Sequence, residues 1–383
     1  MNLSDILVDV NPEQAARLIQ TLFNPTEYVA ISSMRNNTVK GYRTLTQVLT
    51  ASELVTQLRG PEGRDTLLSL CTYPDQMNTY FHISTVLPRT SINYSQRVKE
   101  DDVAKVKCLY VDLDVKPGCF TSQADAMSFL GEVPIRPNVV VSTGSGGLHA
   151  YWTLSDGGVA PHVGRELLVR WWAYLSELAD DRHIDKLVDV TRMSRLPGTI
   201  RWPKENERPA EVKLEWANRT DGMHSSEILD LTESAMLALN ERRRVTRKRD
   251  ESLKENIENI YAGEEGWQKL VAIGNAEDWV NEFVPWESIL APVGWTKLYV
   301  DHAGRTLWAR PGAKNKSAAV DWPESPNVMS LLSTSLDTRL FDLLDAGITL
   351  TKWRVMLRLN FNDDYTAAIN WVLEQMRRRS ALQ

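Results

Sequence analysis

The sequence predicts a mixed α/β protein of the α+β kind, in two parts, and three observations predict it. Short apolar strands alternate with amphipathic helices through the first half. A glycine turn, Thr143-Gly-Ser-Gly-Gly147, joins two such strands and reads as a hairpin. A highly charged helical stretch, Ser225 to Asn256, then precedes a smaller, helix-rich remainder. Residues 1–225 are accordingly expected to form one domain, 226–262 a charged helical linker, and 263–383 an accessory C-terminal domain.

In chain order, Pro12 to Phe23 reads as a short helix, Glu27 to Ser32 as a strand, and Asn36-Asn37 as a turn. Ala51 to Leu58 is a helix and Thr79 to Thr85 a strand. Val106 to Asp114 is an apolar strand that turns acidic at its end, where Pro117-Gly118 breaks it. Ser122 caps a helix to Leu130. Asn138 to Ser142 and Leu148 to Leu154 flank the glycine turn. His162 to Asp180 is a long helix whose Leu167, Leu168, Trp171, Trp172, Leu175 and Leu178 recur at helical spacing, so its tryptophans read as core. Leu187 to Lys204 carries Arg192, Arg195 and Pro197-Gly198. Beyond the charged stretch come a short helix (Trp286 to Ala291) and a hairpin about Asp301-His-Ala-Gly304. Three helices, near Leu336–Ala346, Leu350–Leu359 and Asp363–Arg379, close the chain.

Composition narrows the class. Hydrophobic residues make up 43% and charged residues 25% of 383, ordinary values for a water-soluble globular chain. The three cysteines, Cys71, Cys108 and Cys119, include no C-x-x-C pair, so neither zinc ribbon nor disulfide framework is expected. The opening residues are too polar for a signal peptide, and no apolar run reaches the ~20 residues of a membrane helix, so a cytoplasmic location and no membrane partner are expected. The net charge of −6 does not announce nucleic-acid binding, which depends on local rather than total charge. The basic run Glu241 to Arg249 reads as a solvated helix end or linker, with a phosphate-contacting patch as the alternative.

Three motifs carry chemistry. In Tyr110-Val-Asp-Leu-Asp114, strand alternation points Asp112 and Asp114 the same way. Two carboxylates so close repel unless a cation lies between them, and Mg²⁺ or Mn²⁺ takes oxygen ligands. Taken singly, the pair also suits a solvated strand end. The second motif is Ser142-Thr-Gly-Ser-Gly-Gly-Leu-His149. Its glycines let backbone amides approach an anion, and His149 shares a strand face with Tyr151. An ordinary hairpin with a satisfied histidine is the structural alternative. No G-x-x-x-x-G-K-[ST] loop occurs, so no ATP-driven motor is encoded. The third motif, Ile184 to Thr199, offers Asp185 and Asp189, with Arg192 and Arg195 on one face if the segment is helical. Arginine forks suit phosphates, although a salt-bridged surface helix would look the same.

Together the motifs D-x-D, S-T-G-S-G-G-x-H-x-Y-W and D…R-x-x-R-L-P-G-T resemble the archaeo-eukaryotic primase superfamily, in its bacteriophage and plasmid primase-polymerase branch. The resemblance spans Thr21 to Trp216, with Tyr80-Phe81 as an outer landmark. It implies an RRM-like sheet with an N-terminal α/β module packed on it. It implies DNA synthesis on a single-stranded template from NTPs or dNTPs, with two Mg²⁺ or Mn²⁺ ions and no zinc. The ligands would be Asp112, Asp114 and a third acid, for which Asp185 and Asp189 compete; spacing to the Arg-x-x-Arg-Leu run favours Asp185. His149, Ser145, Gly146 and the turn amides would hold the nucleotide's phosphates, and Arg192 and Arg195 would contact phosphate or template, or buttress the acids. The chain departs from many relatives in lacking the cysteine pairs of a zinc stem and a helicase continuation, so a separate helicase is an expected partner. The string Gly294-Trp-Thr…Arg-Pro-Gly312 resembles accessory modules of phage replication proteins. A non-catalytic replication initiator, a D-x-D nuclease or other phosphotransferase, and a primer-dependent gap-filling repair polymerase are the alternatives.

Overall fold

The computed structural model describes residues 9–35, 44–72, 76–88, 97–202, 208–219, 222–260, 276–313, 316–332 and 338–380. The expected Asn36-Asn37 turn lies outside them, as do Lys204, Gly263 and Leu336, which bound expected segments. The chain divides into two units, Met1–Met236 and Leu237–Gln383.

In the first unit, α1 (Pro12–Leu22) starts where Asn11 accepts from the Gln14 amide and Pro12 takes the first helical position. It buries Ala15, Leu18, Ile19 and Leu22, one stripe at helical spacing. The helices α2 (Ala51–Arg59) and α3 (Gly63–Thr72) follow, α2 opened by a Thr50–Glu53 capping box. They accompany a four-stranded sheet ordered β2-β1-β3-β9, built from β1 (Tyr28–Arg35), β2 (Thr44–Thr50), β3 (Met77–His82) and β9 (Met193–Arg195).

Two expected strands are each split in two. Thr79 to Thr85 divides between β3 and β4 (Ser84–Val86), which pair in different sheets. Val106 to Asp114 divides between β5 (Val103–Val106) and β6 (Cys108–Leu113). The second break falls on Lys107, whose buried Nζ donates to Glu27 Oε1 at 2.9 Å and to the Gly157 carbonyl at 3.0 Å. A buried ammonium requires such partners, and at this residue the chain passes from one sheet to another.

The second sheet is ordered β10-β11-β7-β8-β6, with β7 (Val139–Ser142), β8 (Leu148–Thr153), β10 (Thr199–Arg201) and β11 (Ala210–Ala217). Every neighbouring pair in it is antiparallel, so the mixed architecture is of the α+β kind. Helix α4 (Gln123–Glu132), capped by Ser122 as expected, connects β6 to β7, and α5 (Pro161–Leu178) follows β8. Trp171 of α5 is fully buried against Trp152 of β8, ring centroids 4.9 Å apart, so it is core. Trp172 is half-buried, and its Nε1 donates to the Ile184 carbonyl at 3.1 Å. Both sheets share one apolar core that includes Leu18, Phe81, Leu113 and Trp152.

The Arg-x-x-Arg-Leu-Pro-Gly-Thr run is extended, correcting the conditional helix. It supplies β9 to one sheet and β10 to the other. The crossing is at Gly198 (φ +78°), where an added Cβ would lie 2.0 Å from the Asn11 carbonyl oxygen. Only glycine permits that approach and that backbone.

In the second unit, β12 (Thr296–Val300), β13 (Thr306–Ala309), β14 (Ala318–Val320) and β15 (Ser330–Leu331) form one antiparallel sheet. The expected hairpin is β12–β13, and Asp301 pins its turn by accepting from the Ala303 and Arg305 amides. Trp286, Trp295, Trp308 and Trp353 are buried in this unit's own core. The basic run falls within α6 (Ser225–Ile260). Arg243 makes a two-pronged pair with Asp345 at 2.9 and 3.0 Å, Arg247 donates to the Ala346 carbonyl, and Arg249 meets Asp363 at 3.1 Å. Three of its arginines therefore hold this unit together.

Among the described residues, no helix is long and apolar enough to cross a membrane.

Candidate functional site

The site grows from the β6–β8 ladder. Asp112 lies directly opposite His149, and Tyr110 opposite Tyr151. Asp112 is the last polar residue of β6, and Asp114 follows just past its end. The glycine turn between β7 and β8 lies against this same stretch. A Cβ on Gly147 would meet the Leu113 carbonyl oxygen at 2.9 Å and the Asp114 Cα at 3.5 Å. Gly144 and Gly146 take φ of +71° and +95°. Thr143 Oγ1 closes the turn by donating to the Gly147 carbonyl at 3.1 Å, and it meets the exposed Ser145 hydroxyl at 2.8 Å. The glycines are therefore what bring the turn onto the acidic strand end.

The acids are held by basic neighbours. His149 Nε2 stands 3.5 Å from Asp112 Oδ2, and its Nδ1 meets the Tyr151 hydroxyl at 3.2 Å. Arg192 reaches the same Asp112 oxygen at 4.0 Å. Lys116 Nζ lies 2.5 Å from Asp114 Oδ2 and 3.7 Å from Asp185 Oδ2. His183 Nε2 meets the other Asp185 oxygen at 3.1 Å. Burial alone would raise the Asp112 pKa, but His149, Arg192 and Lys116 more than offset it and hold that carboxyl below its ordinary value. Asp114 moves the other way: burial and the charges of Asp112 and Asp185 raise its pKa against the pull of Lys116. The two neighbouring carboxyls are thus pushed apart, Asp112 toward its charged form and Asp114 toward its neutral one.

The structure brings Asp112, Asp114, Asp185, His149 and Arg192 together, with Gly146 in the turn beside them. Asp189 is turned elsewhere. Its Oδ1 accepts from the Thr191 amide at 2.8 Å and the Thr191 hydroxyl at 2.7 Å, capping a local turn. Arg195 donates to Asn78 Oδ1 at 2.8 Å and lies 5.5 Å above the Tyr80 ring. It is fixed between two side chains of β3.

Three site residues escaped the reading of the sequence. Lys116 continues the alternation of Asp112 and Asp114, a signal broken by Pro117-Gly118. His183 stands two residues before Asp185. Arg201, on β10, donates to the Gly144 carbonyl of the β7–β8 turn at 3.4 Å, a contact that no local spacing announces.

The donor set suits a hard divalent cation in kind: Asp112, Asp114 and Asp185 offer only carboxylate oxygen. Among the described residues, no three His, Cys, Asp or Glu side chains already surround one point closely enough to hold a metal. The Lys116 ammonium stands between two of the candidate ligands.

No protein-family model and no curated protein matches the chain. Among solved structures it is similar to the AEP domain of the cyanophage S-2L primase-polymerase, with 15% identity over 58% of this chain and 98% of that one and a TM-score of 0.41. It is similar to the primase RepB′ at 13% identity, over 72% of this chain and 83% of that chain, with a TM-score of 0.39. It is also similar to the polymerase domain of Mycobacterium tuberculosis ligase D solved with DNA, at 13% identity, 59% and 87% coverage, and a TM-score of 0.32.

Proposed function

We propose that this chain is a template-dependent primase-polymerase that joins nucleotides on single-stranded DNA. The observation that carries the reading is the placing of Asp112 and Asp114 beside a glycine turn, with His149 paired to Asp112 and Lys116 linking Asp114 to Asp185. A nuclease would account for the acids but not for the glycine turn and the histidine beside them.

In this reading Asp112, Asp114 and Asp185 hold divalent Mg²⁺ or Mn²⁺. Bound there, such ions lower the pKa of a 3′-hydroxyl and neutralise the triphosphate and the departing pyrophosphate. The chain's own residues do the rest. The Tyr151 hydroxyl fixes the His149 ring, and His149 fixes the Asp112 carboxylate. The exposed Ser145 hydroxyl and the Gly146 backbone face the approach of the nucleotide's phosphates. Arg192, about one-third exposed beside Asp112, donates to phosphate or template. Arg195, on β9, is held by Asn78 and Tyr80 of the neighbouring β3. The 3′-oxygen attacks the α-phosphorus, the α–β bridging bond breaks, and the hydroxyl proton passes to solvent. Strand opening falls to a separate helicase.

The test supplies purified chain with single-stranded DNA, primed or unprimed, Mg²⁺ or Mn²⁺, and labelled NTPs or dNTPs. Products on unprimed template establish primase activity. Extension of primers alone assigns a gap-filling polymerase. DNA binding without any product refutes synthesis and leaves an initiator.

A further inference from the structure

We propose that Lys116 is a built-in counter-ion of the acid cluster, which a divalent cation must displace in order to bind. The inference rests on the reading of Asp112, Asp114 and Asp185 as cation ligands.

Both ion-pair partners of Lys116 are candidate ligands, and they come from distant parts of the chain. Asp114 follows β6, while Asp185 lies beyond α5. The ammonium thus bridges two carboxylates that would otherwise repel each other. The two oxygens it meets, Asp114 Oδ2 and Asp185 Oδ2, are atoms a hard cation would coordinate. The remaining Asp185 oxygen is held by His183, so Lys116 and His183 together aim this carboxylate.

Ammonium and metal cannot share this place. Like charges a few ångströms apart repel strongly in a half-buried setting. The residue type fits the role. A lysine carries a compact charge on a flexible four-carbon stem, able to leave without disturbing the strand that bears it. Lys116 is half-exposed, with 32% of its side chain accessible, so a route outward exists. It immediately precedes Pro117-Gly118, where the strand has already ended. Arg192 cannot take its place, because it contacts Asp112 rather than Asp114 or Asp185.

The consequence is a linkage between stability and metal affinity. Lys116 stabilises the metal-free cluster and so weakens the first cation by the same amount. The test titrates Mn²⁺ alone, without nucleotide or DNA, into the full chain and into the K116Q, K116R and D114N variants, counting free Mn²⁺ by electron paramagnetic resonance. K116Q should melt at a lower temperature without metal yet bind Mn²⁺ about tenfold more tightly. K116R, which keeps the cation, should stay within about twofold of the unaltered chain. In the unaltered chain, Mn²⁺ should raise the labelling of Lys116 by an amine-directed acylating reagent, mapped by mass spectrometry. That readout needs no variant to fold. Equal or weaker Mn²⁺ binding by K116Q, or labelling that Mn²⁺ leaves unchanged or lowers, overturns the counter-ion role. Failure of the underlying reading looks different: the unaltered chain binds no Mn²⁺, or D114N binds it equally well, and the counter-ion role falls with it.

Discussion

Asp112 and His149 face each other across β6 and β8, with Nε2 of the histidine 3.5 Å from Oδ2 of the acid. The D-x-D pair and the glycine turn are thus coupled through a cross-strand pair, in addition to lying side by side. His149→Ala should leave the fold intact and lower nucleotide incorporation by roughly 10- to 100-fold, the usual effect of removing a partner that orients a ligand. Steady-state incorporation on a primed template measures it. Activity within twofold of the unaltered chain would remove His149 from the site.

Two glycine substitutions should have opposite signs. Gly147→Ala places a methyl 2.9 Å from the Leu113 carbonyl oxygen, so it should cost about 1–3 kcal/mol and push the turn off the acids. Gly131→Ala, at an exposed position of α4 with open space at its Cβ, should gain about 0.5–1 kcal/mol. Denaturant unfolding of both variants checks the pair, and only the first should lose synthesis.

His82 sets a pH dependence of stability. Burial is the main cause that lowers its pKa to about 4, with Asp189 opposing the shift. Its folded value is below the ordinary 6.5, so the unfolded chain takes up this proton first. The stability it contributes is complete above pH 6.5 and is lost as pH falls toward 4, by roughly 3 kcal/mol in all. Urea unfolding at steps between pH 7 and 4 should show this slope, and His82→Asn should flatten it.

The basic run of α6 should matter to stability rather than to DNA. Arg243→Ala removes the two-pronged partner of the buried Asp345 carboxylate, 9% exposed, and should destabilise the second unit by about 1–3 kcal/mol. Single-stranded DNA affinity, measured by fluorescence anisotropy, should change less than twofold. Arg192→Ala should do the reverse, weakening nucleotide or template binding at little cost in stability. A loss of DNA affinity in Arg243→Ala would restore the run as a phosphate-contacting patch.

Most helices were legible because their caps and stripes are local: Asn11, Thr50 and Ser122 each cap a helix through a side-chain oxygen. The glycine hairpin and its neighbours were legible for the same reason. Strand breaks were not. Lys107 reads as one polar residue inside an apolar strand until Glu27, eighty positions away in sequence, is seen to hold it. The run from Arg192 to Thr199 misled because i,i+3 spacing suits a helix, whereas its partners in β3 and β11 make it a bridge between sheets. The nearness of Asp112, Asp114 and His149 was legible from alternation and turn chemistry. That Asp185 rather than Asp189 lies near Asp114 was not, because it depends on which carboxylate meets Lys116 and which caps its own turn.

We propose that the carboxylates at the end of β6 support metal-dependent nucleotide transfer. The most direct measurement is incorporation of labelled nucleotide on single-stranded DNA, with Mn²⁺ or with chelator, by the unaltered chain, Asp112→Asn and Asp114→Asn. Product should form only with the metal and the unaltered chain. Both variants should fold and fall at least about 1,000-fold, as when groups that stabilise transition-state charge are removed. Near-normal incorporation by a folded Asp112→Asn or Asp114→Asn, or product formed in chelator, would contradict the account.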